Sequence, residues 1–146
     1  MIQFFVLFAL GFHTAVFAGQ FLITPEEMKA SNAAKPPFAA KAAAPKDAPL
    51  IELFAPKLTA KIISPTPIEL KFQPMPPSMV KPDTFRVLYG AFELDITNRI
   101  LSVAKVTESG VFIQEASLPK GKHKLMMVIE DTSGRRGMKA IEFEVQ

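Results

Sequence analysis

From Leu50 to the last residue, apolar and polar side chains alternate with a period of two, and this pattern limits what the chain can fold into more than any other feature. It is clearest where Ile68, Leu70 and Phe72 interleave with Glu69, Lys71 and Gln73, and where Ile141, Phe143 and Val145 interleave with Glu142, Glu144 and Gln146. Successive side chains of an extended strand point to opposite faces, so each such segment buries one face and wets the other. The pattern predicts strands over residues 50–54, 58–63, 68–72, 84–89, 111–114, 122–130 and 138–145, with a further short one at 93–96. Proline and glycine clusters at 64–67, 74–78, 109–110 and 119–121 supply the turns between them. About seven short strands without a strong amphipathic helix make an all-β, two-sheet sandwich the expected fold.

The first 49 residues have a different texture. Residues 2–18 are apolar, with no charged side chain, and Val16 and Ala18 are small enough for the two positions that precede a signal-peptidase cut. The run falls short of the roughly 20 apolar residues of a spanning helix, and His13 and Thr14 interrupt it. Residues 1–18 are therefore expected to be a signal peptide, with membrane attachment only if the signal stays uncleaved. Residues 19–30 read as a short docking segment. Thr24, Pro25 and Glu27 form a capping-box pattern with proline at the first helical position. A helix so short is unstable alone, so it needs Ile23 and Met28 to dock on another surface. Residues 31–49 are rich in Ala, Pro and Lys and read as a flexible linker, because closely spaced prolines interrupt a helix and so little apolar surface cannot offset ordering entropy. Residues 50–146 are the sandwich domain. A chain of 146 residues suits one core plus this appendage.

The chain has no cysteine, which removes disulfides, thiolate metal sites, a cysteine nucleophile and a lipidated cysteine from consideration. Its net charge of +3 does not indicate a nucleic-acid partner. Four lysines face three acids between residues 19 and 49, and thirteen basic residues face eleven acidic ones beyond, with no basic stripe among aromatics.

Two stretches carry a family resemblance. Leu118-Pro119-Lys120-Gly121-Lys122-His123-Lys124-Leu125, followed by Asp131-Thr132-Ser133-Gly134-Arg135, resembles the end of many bacterial immunoglobulin-like domains. Tyr89-Gly90 with Leu94-Asp95-Ile96-Thr97-Asn98-Arg99 is similar to an exported group of proteobacterial proteins. The resemblance covers residues 50–146 and implies an immunoglobulin-like sandwich of the E-set type, without implying a catalytic residue or cofactor. In the hairpin, Asp131 is placed to accept nearby backbone N–H groups, and Gly134 to take a positive φ.

Candidates for chemistry are few. His123 is expected at a strand edge, on the surface between two lysines, with no second histidine beyond residue 13 to complete a metal pair. If residues 95–99 are extended, Asp95, Thr97 and Arg99 share one side, and with Tyr89 they are the candidate ligand-binding residues. The plainer reading is an Asp-to-Arg pair closing an irregular connection. Nothing in the sequence brings Asp95 and Asp131 together as a carboxylate pair. Met75 and Met79 lie in a proline-rich loop, while Met126 and Met127 are adjacent on a strand and must point to opposite faces, so the latter two cannot share a metal ion. No metal or cofactor is expected.

The central strands are apolar on both faces. Leu125, Met127 and Ile129 share one side of their strand while Met126 and Val128 take the other, and Leu88 opposes Phe85, Val87 and Tyr89. A sheet facing water alternates more cleanly. Either residues 21–28 cover this second face or a partner does, which makes Leu88, Met126 and Val128 the candidate interaction face. The expected function is that of an exported, non-catalytic binding module in the periplasm or outside the cell, acting on an envelope protein. The alternative is an accessory domain that binds a carbohydrate or metal ion, or an envelope enzyme. The exported protein is expected to begin at Gly19, and the intact mass of the secreted chain checks this.

Overall fold

The computed structural model describes residues 21–34 and 44–146, so the signal-peptide expectation and the central part of the linker, residues 35–43, lie outside the described residues. The alternating segments pair into two antiparallel four-stranded sheets. Sheet A is built from β1 (Leu50–Ala55), β2 (Thr66–Gln73), β5 (Val106–Thr107) and β6 (Gly110–Ala116), in the order β1-β2-β6-β5. Sheet B is built from β3 (Val80–Tyr89), β4 (Leu94–Asp95), β7 (Gly121–Asp131) and β8 (Arg136–Val145), in the order β4-β3-β7-β8. Named A to G with C′ after the third strand, these are the ABED and C′CFG sheets of an immunoglobulin-like sandwich. Two short helices accompany them, α1 (Pro25–Ala33) and α2 (Thr97–Leu101).

Burial follows the period of two. Along β7, His123, Leu125, Met127, Ile129 and Asp131 are buried while Lys124, Met126, Val128 and Glu130 are half-buried. Phe85, Val87 and Tyr89 of β3 join the first set, and Leu70 and Phe72 of β2 with Val111 and Ile113 of β6 face them from the other sheet. Phe72 and Phe85 meet with ring centroids 5.5 Å apart. Each side chain of this size contributes roughly 1.5–3 kcal/mol when fully buried.

The hairpin after β7 is organised by one carboxylate. Asp131 Oδ1 accepts the backbone N–H groups of Ser133 and Arg135, both at 2.9 Å, and its Oδ2 accepts Arg135 Nε at 2.8 Å. Gly134 follows with φ 76°, where a Cβ is disfavoured. Burial on its own would raise the Asp131 carboxyl, but the hydrogen bonds from Arg135 and Ser133 overcome it and hold the group below the usual carboxylate range.

Three elements differ from the sequence expectation. Residues 58–63 form no strand: a turn closes from Ala60 N to Lys57 O, and Leu58 and Ile63 are exposed. This stretch leaves the β1 edge of sheet A, reaches the β8 edge of sheet B and returns to β2 in sheet A. It touches a strand only at Ile62, which bridges Val145 in parallel and accepts Gln146 N–H at 2.9 Å. Residues 97–101 are helical, because Asp95 Oδ1 accepts the Thr97 N–H at 2.8 Å and turns the chain. The two-residue β5 carries no pattern long enough to read.

The N-terminal segment is packed into the sandwich. Thr24 Oγ1 accepts the Glu27 N–H at 3.2 Å, and Glu27 Oε2 accepts the Thr24 N–H at 2.9 Å, which completes the capping box. Leu22, Ile23 and Met28 join the core cluster, and Leu22 N–H donates to Ser117 O at 3.1 Å. The helix runs through Ala33, into the stretch read as linker, because Ser31 and Asn32 find partners on the sandwich. No helix among the described residues is long and apolar enough to cross a membrane.

Phe85→Ala should lower the free energy of unfolding by about 3–5 kcal/mol, since it empties the most central contact between the sheets. A urea melt with an unchanged slope and a lowered midpoint is the expected result.

Candidate functional site

The outward side of sheet B is where the two-faced strands come together. The register places Leu88 opposite Met126 and Met126 opposite Ala140, while Val128 lies between Arg86 and Met138. Residues directly opposite in antiparallel strands share a face, so Leu88, Met126 and Val128 form one aliphatic patch that Ala140 and Met138 extend to the β8 edge. All three are half-buried, with charged neighbours around them. Lys124 pairs with Glu142 at 3.3 Å, and Arg136 with Glu130 at 2.8 Å.

Residues 21–28 do not cover this patch, since Leu22, Ile23 and Met28 are inserted into the core. The end of α1 instead runs alongside it. Ser31 Oγ accepts the Ala91 N–H at 2.9 Å, and Asn32 Nδ2 donates to Lys122 O at 3.1 Å. Ser31 sits so close over Gly90, at φ 70°, that no Cβ would fit there. Between α1 and the sheet lies an open groove of about 670 Å³, lined among others by Ser31, Asn32, Leu88, Lys124, Met126 and Phe143.

The candidate ligand-binding residues do not converge. Tyr89, one of the candidate ligand-binding residues, is 2% exposed and points into the core, because it falls on the inward register of β3 with Phe85 and Val87. Its hydroxyl is pushed up to about 12, first by burial and then by the charge of Glu27. Thr97 is also buried, and its hydroxyl accepts the Val87 N–H at 2.9 Å. Asp95 is exposed and caps the turn into α2, and the hydrogen bonds from Thr97 lower its carboxyl. Arg99 turns away from Asp95, because helix α2 rotates it toward the N-terminal segment. There it grips Glu27 through both nitrogens, at 2.6 and 2.7 Å, and donates to Leu22 O at 3.1 Å. The Arg99 hydrogen bonds hold the Glu27 carboxyl at about 2, well below its ordinary range. The expected Asp-to-Arg pair is thus replaced by a Glu-to-Arg pair between segments 72 residues apart.

His123 is a core residue rather than a surface one, at 2% exposure. Its Nε2 lies 2.8 Å from Pro119 O, which can only accept, so Nε2 carries the proton and Nδ1 accepts the Tyr89 hydroxyl at 3.0 Å. Its ring also stacks on Phe143, with centroids 5.3 Å apart. Burial lowers its pKa, and the bond to Pro119 only partly opposes this. The sequence signal that was available is parity: residue 123 shares the inward register of 125, 127 and 129, and the flanking lysines concealed it. Met75 and Met79 are exposed in the β2–β3 loop. Among the described residues no three His, Asp or Glu side chains gather as a metal site.

Comparison with protein-family models, curated proteins and solved structures returned no match. The interpretation of the site therefore rests on the residues of this chain.

Stability should fall in two stages on acidification. His123 is depressed below its ordinary 6.5 in the fold, so the unfolded chain takes up the proton first. The contribution of neutral His123 is complete above 6.5 and shrinks below it. Glu27 is depressed from 4.5 to about 2, so its contribution is complete above 4.5 and lost as pH falls through 2. Urea melts across this range should lose the first stage in His123→Asn and part of the second in Glu27→Gln, the remainder belonging to Asp131 and Asp95, which are also lowered.

Proposed function

We propose that this chain is an exported, non-catalytic binding module of the cell envelope, and that its working surface is the outward face of sheet B. The observation that carries the proposal is the patch of Leu88, Met126 and Val128, half-buried at neighbouring register positions of β3 and β7 and bordering an open groove. Three aliphatic side chains at neighbouring positions on the outward side of a sheet are costly to leave in water, and a protein surface of complementary shape offsets that cost. The Lys124–Glu142 and Arg136–Glu130 pairs, one toward each end of the patch, supply polar borders of the kind such interfaces use.

Support for a non-catalytic role comes from how the perturbed ionisable groups are used. Glu27 and Arg99 hold the N-terminal segment, Asp131 builds a hairpin, and Tyr89 and His123 satisfy each other in the core. Perturbed groups in a cleft would point to chemistry, whereas these are all engaged with the chain's own atoms. Export is supported by the apolar, uncharged residues 2–18 with Val16 and Ala18. On the same reading, the resemblance of residues 89–99 to exported proteobacterial proteins, and of residues 118–135 to the end of bacterial immunoglobulin-like domains, makes the E-set type the proposed finer class.

Replacing Met126 and Val128 together by Thr keeps β propensity and leaves the inward contacts of β7 untouched. The urea midpoint should shift little, while recovery of a cross-linked envelope partner by the tagged protein is lost. Unchanged recovery beside unchanged stability would rule out this face.

A further inference from the structure

The groove on sheet B is not made by sheet B alone. Its floor is Leu88 and Met126, but one wall is the end of α1, placed there by Ser31 and Asn32. The residues that receive these two side chains are Ala91, two positions after β3, and Lys122 in β7, the strands that provide the floor. Ser31, Asn32 and Ala34 make that wall, and without residues 21–34 the groove is open on this side.

The attachment of this segment differs in kind from that of any strand. Each residue of β7 from Leu125 to Val128 is laddered on both sides, by β3 and by β8. Residues 21–34 are joined to the sandwich by a single backbone hydrogen bond, Leu22 to Ser117. What holds them is three apolar side chains, the Glu27–Arg99 pair and the two polar contacts of Ser31 and Asn32. The remaining apolar void of the core, about 40 Å³, is bounded by Leu22 and Ile23 together with residues of both sheets. A nine-residue helix has no stability of its own in water. With its side chains out of the core, nothing within the segment itself would keep the helix formed. Such a segment opens at a lower free energy than the sheets beneath it.

We infer that residues 21–34 form a strap with a docked and an undocked state, and that docking builds the groove. This rests on the reading of sheet B as the binding face. It adds that strap docking and partner binding are coupled, since a ligand that needs the α1 wall favours the docked state, and docking in turn raises affinity for that ligand. Arg99 is the positioning residue of the device. It lines no part of the groove, yet its guanidinium holds both Glu27 and the Leu22 carbonyl at the root of the strap.

The natural methionines report on each part of the device: Met28 in the strap and Met126 on the groove floor. The experiment uses the full chain labelled with ¹³C at the methionine methyl groups, together with hydrogen exchange read by mass spectrometry, and it requires no partner. In the wild type, amides of residues 22–33 should exchange as a group, faster than those of β7. Arg99→Ala should speed that group by about tenfold or more, as expected for loss of a charge-assisted bidentate contact. The Met28 and Met126 methyl signals should move together while Met79, in the β2–β3 loop beside Thr132 at the other end of β3, stays, and the milder Glu27→Gln should give a smaller change of the same kind. Strap amides exchanging in step with β7 would overturn the inference, and so would a Met28 signal that moves while Met126 does not. Global loss of β7 protection in both variants would also overturn it, by making the strap part of a single cooperative unit. None of these outcomes depends on the Met126 and Val128 partner assay, so the two proposals can fail separately.

Discussion

Burial of the inward register of β3 and β7 against β2 and β6 is the constraint from which the rest of the structure follows. Phe85 sits at its centre, 1% exposed and tilted against Phe72 from the opposite sheet. A shift of one residue in either strand would send every second side chain to the wrong face, so the register of sheet B is fixed by the apolar set Phe85, Val87, Leu125, Met127 and Ile129. Fixing it also fixes what lies on the other side. Leu88, Met126 and Val128 become neighbours on the outward face only because their sequence neighbours are committed to the core.

The same register determines how the polar residues are used. Tyr89 and His123 fall on the inward side at one end of the sandwich, where water cannot reach them, and they satisfy one another with the help of the Pro119 carbonyl. Asp131 falls inward at the other end and is the carboxylate around which the hairpin turns. Burial makes unpaired polar groups costly, and among the described residues no buried side-chain N or O lacks a partner. The perturbed pKa values of this protein therefore follow from structural burial and pairing.

The N-terminal segment adds a second layer to this architecture. It closes the core with Leu22, Ile23 and Met28 and at the same time carries Ser31 and Asn32 to the rim of the outward face. An element that serves the inside with one end and borders the surface with the other can transmit a change between them. The Glu27–Arg99 pair lies between those two ends. Its acid limb is held near 2, so the pair remains charged well below the ordinary carboxylate range.

The sequence by itself determined the all-β class, most of the strands, the parity of the two faces on β3 and β7, the capping box at Thr24 and the carboxylate hairpin at Asp131. These depend on local chemistry: a period, a cap or a turn residue acts within a few positions. The sequence could not reveal that Arg99 reaches Glu27 rather than Asp95, because that pairing depends on the rotation of α2 and on contact between segments 72 residues apart. Nor could it show that residues 58–63 lack a strand partner, because alternation records a willingness to pair and not the presence of a neighbour. His123 differs from its expected surface position for a related reason, since the flanking lysines suit the surface while its own parity points inward. Only the tertiary structure decided these points, because each depends on which distant surface a side chain meets once both sheets are closed.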